Sequence, residues 1–187
     1  ISNCHVEIND TDVVANQARF GGGAYYRTST DCDFNRVLFE KNIATSGGAI
    51  FSVQGILSFN ECSFTENSAR LFGGAIYSEF DHTTSITDCD VTANTAKIGA
   101  GIYSLNTGVK HNDYQMVVTD SVFIENKAIE SGGAIGIHFS RVNENALIAT
   151  GTAFRNNIAG NEGGAVKFLI PSYPPENSTQ SFQECSF

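Results

Sequence analysis

Phe64-Thr65-Glu66-Asn67-Ser68-Ala69-Arg70-Leu71-Phe72-Gly73-Gly74-Ala75-Ile76-Tyr77-Ser78 is the stretch that decides the fold. Its pattern is an apolar residue, an Asn three positions later, an Ala two after that, and then Gly-Gly-Ala before a β-rich segment. The pattern returns along the whole chain. The Asn column is Asn16, Asn42, Asn67, Asn94, Asn126 and Asn157, and the apolar column is Val13, Phe39, Phe64, Val91, Phe123 and Phe154, with Phe187 opening a seventh copy. Self-similarity at a period of about 25 to 32 residues marks units that bury their apolar face only against neighbouring units.

Each copy offers short β-rich segments between Gly or Asn corners, and none holds an apolar spacing of helical period long enough for a helix. The class is all-β. A propeller blade needs four strands in about 40 residues, so a shorter repeat without hairpin Asn-Gly turns reads as one coil of a parallel β-solenoid. The expectation is about six full coils and a partial seventh, with residues 1–187 forming one β-helix segment. Equivalent residues then stack. Stacked Asn side chains satisfy turn backbone and bond their own copies. The Gly pair permits a sharp turn and close approach, Ala24, Ala49, Ala75, Ala134 and Ala165 keep the wall thin, and Tyr25, Ile50, Ile76, Ile102, Ile135 and Val166 form an inward column.

The pairing of GGA[ILV] with FxxN resembles the repeat of the chlamydial polymorphic outer-membrane protein family. Four copies match both halves: Phe39–Asn42 with Gly47–Ile50, Phe64–Asn67 with Gly73–Ile76, Phe123–Asn126 with Gly132–Ile135, and Phe154–Asn157 with Gly163–Val166. The first copy departs with Val13 and Tyr25, the fourth with Val91 and Gly99-Ala100-Gly101-Ile102. The resemblance covers almost the full length. It implies a right-handed parallel β-helix displayed at a cell surface or outside the cell as a passenger or adhesin.

Apolar residues make up 41% of the chain and charged ones 17%, so a folded segment is expected rather than a disordered tail. No apolar run is long enough for a spanning helix, which argues against direct membrane insertion. A net charge of −9 argues against nucleic acid and anionic lipid as partners. The chain begins without Met and stops within a repeat, so it reads as a segment of a longer protein, partnered end to end by further coils or by neighbouring subunits.

Three sets of residues could carry more than structure. Five cysteines cannot all pair within the chain. Cys62 and Cys89 hold equivalent sites in consecutive copies, either as buried small side chains or as a disulfide, since stacked strands lie within bonding reach. An acidic column precedes the apolar one by three residues: Asp10, Arg36, Glu61, Asp88, Asp120, Gly151 and Glu184. Glu61, Asp88 and Asp120 read as a solvated edge, as a Ca²⁺ ladder, or as the carboxylates of a polysaccharide-acting enzyme. Asn9-Asp10-Thr11 and Asn177-Ser178-Thr179 are N-glycosylation sequons, a pattern an Asn- and Thr-rich chain also yields by chance. His5, His82, His111 and His138 are scattered, no Ser-His-Asp order or phosphate loop occurs, and nothing calls for a cofactor.

The connection after the Gly-Gly-Ala strand lengthens in later copies, through Asn106–Tyr114, Phe139–Asn145 and Pro171–Gln180. Insertions emerging at one corner form either a recognition ridge, for a receptor or glycan, or tolerated loop drift. Three roles follow for the segment: a structural or adhesive part of a surface protein, a building block of an extracellular filament, and a polysaccharide-acting lyase or hydrolase.

Overall fold

The computed structural model describes residues 4–27, 30–79, 83–106, 115–139, 147–169 and 181–187. It is a parallel β-helix with four faces. The third coil shows the plan: Ile56–Asn60 on the first face, Ser63–Thr65 on the second, Ser68–Phe72 on the third and Ile76–Glu79 on the fourth. Stacked coils build one sheet of seven strands, two of six and one of five, with every pairing parallel. No helix among the described residues is long and apolar enough to cross a membrane.

Columns form because the register is one to one. Phe39, Phe64, Val91, Phe123 and Phe154 pair in sequence on the second face, and Ile50, Ile76, Ile102, Ile135 and Val166 on the fourth. Alternation sends Leu57, Phe59, Phe64, Ile76 and Ser78 inward within one coil, where all are buried. Phe34 stacks on Phe59 and Phe39 on Phe64 with ring centroids 4.9 Å apart, close to the spacing of the coils themselves. Phe34 and Phe39 meet edge to face at 5.6 Å, as do Phe59 and Phe64 at 5.2 Å, so two aromatic ladders brace each other across the core.

Three corners of the coil are turned by residues in the left-handed region. One is the column Asp10, Arg36, Glu61, Asp88, Asp120, Gly151 and Glu184; the next is Ala15, Lys41, Glu66, Ala93, Glu125 and Asn156; the third is Gly21, Gly47, Gly73, Gly99, Gly132 and Gly163. Their φ values run from +48° to +66°. A non-glycine residue there costs about 1 to 2 kcal/mol. The stacking offsets it, because a corner amide donates to the carbonyl of the coil above, as Glu61 does to Thr87 and Glu66 to Thr92, each at 3.0 Å.

Two expectations need correction. In the first coil Ala24 pairs with Ile50 and Tyr25 with Phe51, so Gly23, not Ala24, holds the position of Ala49, and Tyr25 stands outside the inward column. The triplet Gly21-Gly22-Gly23 permits either alignment by residue type, and Gly21 alone takes positive φ. Asn106 and Phe139 are the last residues of strands Ile102–Asn106 and Ile135–Phe139, so those insertions start one residue later.

A second apolar cluster lies outside the helix wall. Phe51, Tyr77 and Tyr103 point away from the core on the fourth face, yet all three are buried. The end of the third-face strand covers them: Phe72 stacks on Tyr103 at 4.7 Å, and Phe51 on Tyr77 at 4.6 Å. The strand reaches that far through a bulge, since Ala69 pairs with Ala44 but Phe72 with Ser46. Burial, then the nearby Glu79 charge, pushes the Tyr103 hydroxyl up to about 12, and it lies 3.3 Å from His138 Nδ1.

Candidate functional site

The Asn column is a continuous hydrogen-bonded ladder from Asn16 to Asn157. Each Oδ1 accepts the backbone N–H and one Nδ2 hydrogen of the Asn one coil below, at 2.9–3.1 Å. The other Nδ2 hydrogen goes to the carbonyl of Val13, Phe39, Phe64, Val91 or Phe123, at 2.7–2.9 Å. Asn42, Asn67, Asn94 and Asn126 are fully buried with these bonds made, which is the condition for a polar ladder inside an apolar wall. Only a side chain carrying acceptor and two donors on one planar group closes that pattern.

The corner carboxylates Glu61, Asp88 and Asp120 stand in successive coils and are exposed. No group of three or more His, Cys, Asp or Glu that could hold a metal ion occurs among the described residues. Within the same column the Arg36 guanidinium binds Asp10 through two bonds, 2.6 and 3.0 Å, which hold the Asp10 carboxyl below its ordinary value. Gly151 is open where a methyl would lie 2.1 Å from Asp120 Oδ1, so that carboxylate rests over the glycine. Asn9 is exposed and accepts a 2.8 Å bond from Asn35 Nδ2, while Asn177 lies outside the described residues, as do His82 and His111.

Cys62 and Cys89 are adjacent and buried thiols, with the Cys62 amide donating to Cys89 Sγ at 3.3 Å. The hydrogen bond with Cys62 and burial hold the Cys89 thiol well above its ordinary range. Ser121 continues the column, its hydroxyl accepting from the Cys89 amide at 3.1 Å. Modification of the native protein with a water-soluble maleimide should therefore label half-buried Cys185 at least about a hundredfold faster than Cys89. Equal rates would contradict the burial. Their oxidation remains a proposal: under an added oxidant, a digest without reductant should yield a Cys62–Cys89 peptide, and a bridge from Cys62 to Cys4 would break the register.

Every interior gap between described segments lies at one corner. The chain leaves the fourth face after Arg27, Glu79, Asn106, Phe139 and Leu169 and re-enters the first at Thr30, Thr83, Gln115, Leu147 and Ser181. The second coil makes the same crossing with Gln54-Gly55 alone, Gln54 taking φ +62°. The insertions themselves lie outside the described residues.

The third face carries a groove of about 360 Å³ lined by Ser68, Ala69, Arg70, Thr95, Ala96, Lys127 and Ile129. The sequence reading missed it. Its signal was the position after each Asn, polar in three successive coils as Ser68, Thr95 and Lys127, and the position two further on, which holds Arg70, Lys97 and Ile129 in the same coils.

Residues 36–53 and 61–79 match the Chlamydia polymorphic membrane protein (Chlamydia_PMP) repeat. The chain is 32% identical over 168 residues to the probable autotransporter YfaL of Escherichia coli (strain K12), an alignment covering 77% of this chain and 13% of YfaL. No solved structure matches it. The second and third coils thus match the polymorphic-membrane-protein repeat, and its two halves recur in the fifth and sixth, as Phe123–Asn126 with Gly132–Ile135 and Phe154–Asn157 with Gly163–Val166.

Proposed function

We propose that the chain is a structural or adhesive segment of a surface-displayed β-helix protein, with recognition carried by the connections at the corner between the fourth and first faces. The observation that carries this reading is the placement of those connections. Segments of 2, 3, 8, 7 and 11 residues all join the same two faces, so their points of departure and return line up along one edge of the stack. Recognition in repeat proteins concentrates where insertions share a face. The family resemblance and the autotransporter relative support display at a cell surface or outer membrane.

The competing enzyme reading places its chemistry on Glu61, Asp88 and Asp120. These sit exposed on a convex corner, away from the groove, where a substrate would be neither enclosed nor desolvated. Replacing 107–114, 140–146 and 170–180 by the two-residue Gln54-Gly55 crossing tests the adhesive reading. The shortened protein should keep its β-sheet circular dichroism and lose binding to target cells or to immobilised glycans. Undiminished binding would remove the connections from the function.

A further inference from the structure

Charge is segregated across the coil. In the third, fourth and fifth coils the third face presents Arg70, Lys97 and Lys127, and the corner between the first and second faces presents Glu61, Asp88 and Asp120. Lys97 is bound to Glu130 at 3.1 Å; Arg70 and Lys127 make no ion pair among the described residues, nor do the three carboxylates. The cationic groove also holds an apolar shoulder, Ile129, with 70% of its surface exposed. Two cations without an ion pair, Arg70 and Lys127, thus stand in the groove, and three such carboxylates stand on the corner.

We propose that the third-face groove is a docking site for a second copy of this chain, which lays its Glu61–Asp88–Asp120 corner along Arg70, Lys97 and Lys127. Two observations select this occupant. Arg70 and Lys97 hold one position of the repeat and Lys127 pairs with Thr95, two residues earlier, but coils on both surfaces advance by the same step of about 4.8 Å, so two helices side by side bring one cation per coil to the level of one carboxylate over three coils. The lining also contains no aromatic ring, the usual platform for a sugar, and offers Ser68, Thr95 and Ile129 instead. Groove and corner are different surfaces, so the contact is heterologous and extends into a row of laterally packed helices. A row of this kind suits a protein displayed densely on a surface.

Sedimentation velocity of the 187-residue chain at about 20 mM and about 500 mM salt tests the proposal. The wild type should associate reversibly at low salt and dissociate at high salt. Arg70→Glu with Lys127→Glu reverses the groove, and Asp88→Lys with Asp120→Lys reverses the corner. The corner tolerates cationic residues, since Arg36 occupies the same column at φ +54°. Each variant alone should raise the dissociation constant by on the order of a hundredfold. An equimolar mixture of the two should restore association, because the reversed groove then meets the reversed corner. A wild type that stays monomeric at low salt overturns the proposal. So does association unchanged in both variants, which would run through the helix ends. If a sulfated polysaccharide binds the wild type and not the groove variant while the protein stays monomeric, the occupant is an anionic glycan instead.

Discussion

Gly74→Ala should destabilise the chain by about 3 kcal/mol or more, a fall in thermal midpoint of roughly 10 °C. A methyl on Gly74 would lie 2.1 Å from the Ala100 carbonyl oxygen, 2.7 Å from that of Thr95 and 2.9 Å from the Thr95 amide. All three are backbone atoms of the next coil, held in a hydrogen-bonded ladder, so no side chain can rotate aside. Gly73 fails for a further reason, since its φ of +63° comes with an Ile76 carbonyl 2.2 Å from the added carbon. The fourth coil shows how the wall admits a methyl. There the order is Gly99-Ala100-Gly101, and Ala100 packs among Ala69, Ala96 and Ala128 while Gly101 fills the place of Ala75. One methyl per coil is kept and only its position is exchanged. Gly74→Ala combined with Ala75→Gly should therefore recover more than half of the lost stability. By contrast, Ala93→Gly, at a corner with φ +55°, should be neutral or slightly stabilising. Thermal melts of the four proteins decide it; a single Gly74→Ala variant as stable as wild type would mean that coils can separate locally at little cost.

Much of this architecture is legible from sequence because a stack converts vertical contact into identity at a fixed period. Phe39 over Phe64 and Asn67 over Asn94 are neighbours in space because they are equivalent in the repeat. What escaped reading depends on backbone conformation or on how separate coils meet at the surface. Glu61, Asp88 and Asp120 share a column for a reason of backbone shape: each turns a left-handed corner, and neither Glu nor Asp announces that conformation by its chemistry. The first coil slipped by one residue because three consecutive glycines carry no side chain to fix the alignment. The outer cluster of Phe51, Tyr77 and Tyr103 had a signal, an aromatic just after the inward Ile in three consecutive coils, but its cover comes from a bulge at Phe72 that residue spacing alone does not describe. The groove required side chains from three coils to be placed together.

Asn67→Ala should cost about 3 to 5 kcal/mol, more than a single lost hydrogen bond, because the ladder leaves no spare partner. The substitution removes the acceptor of both the Asn42 backbone amide and Asn42 Nδ2, and the donor to the Phe39 carbonyl and to Asn94 Oδ1. Residue 67 has no exposed surface, and the space left by the side chain offers those groups no replacement. Each buried group left unpaired adds about 1 to 3 kcal/mol. Asn67→Asp separates hydrogen bonding from shape. One carboxylate oxygen still accepts from Asn42, but the other faces the Phe39 carbonyl and Asn94 Oδ1, two acceptors, so the site favours the protonated acid. Its folded pKa then lies above the unfolded value of about 3.9. The pH-dependent part of the destabilisation is absent below the unfolded pKa, where both states carry the proton, and grows as pH rises toward the folded pKa. Asn67→Asp should thus show its smallest deficit near pH 3, where its one O–H serves one of the two acceptors, and a much larger one at pH 7, whereas the deficit of Asn67→Ala should not depend on pH. Asn9→Ala, which removes one exposed bond from Asn35, should change little. Urea midpoints of these variants at two pH values test the ladder: an Asn67→Asp deficit that is the same at pH 3 and pH 7 would show that the column is held by packing rather than by its hydrogen bonds.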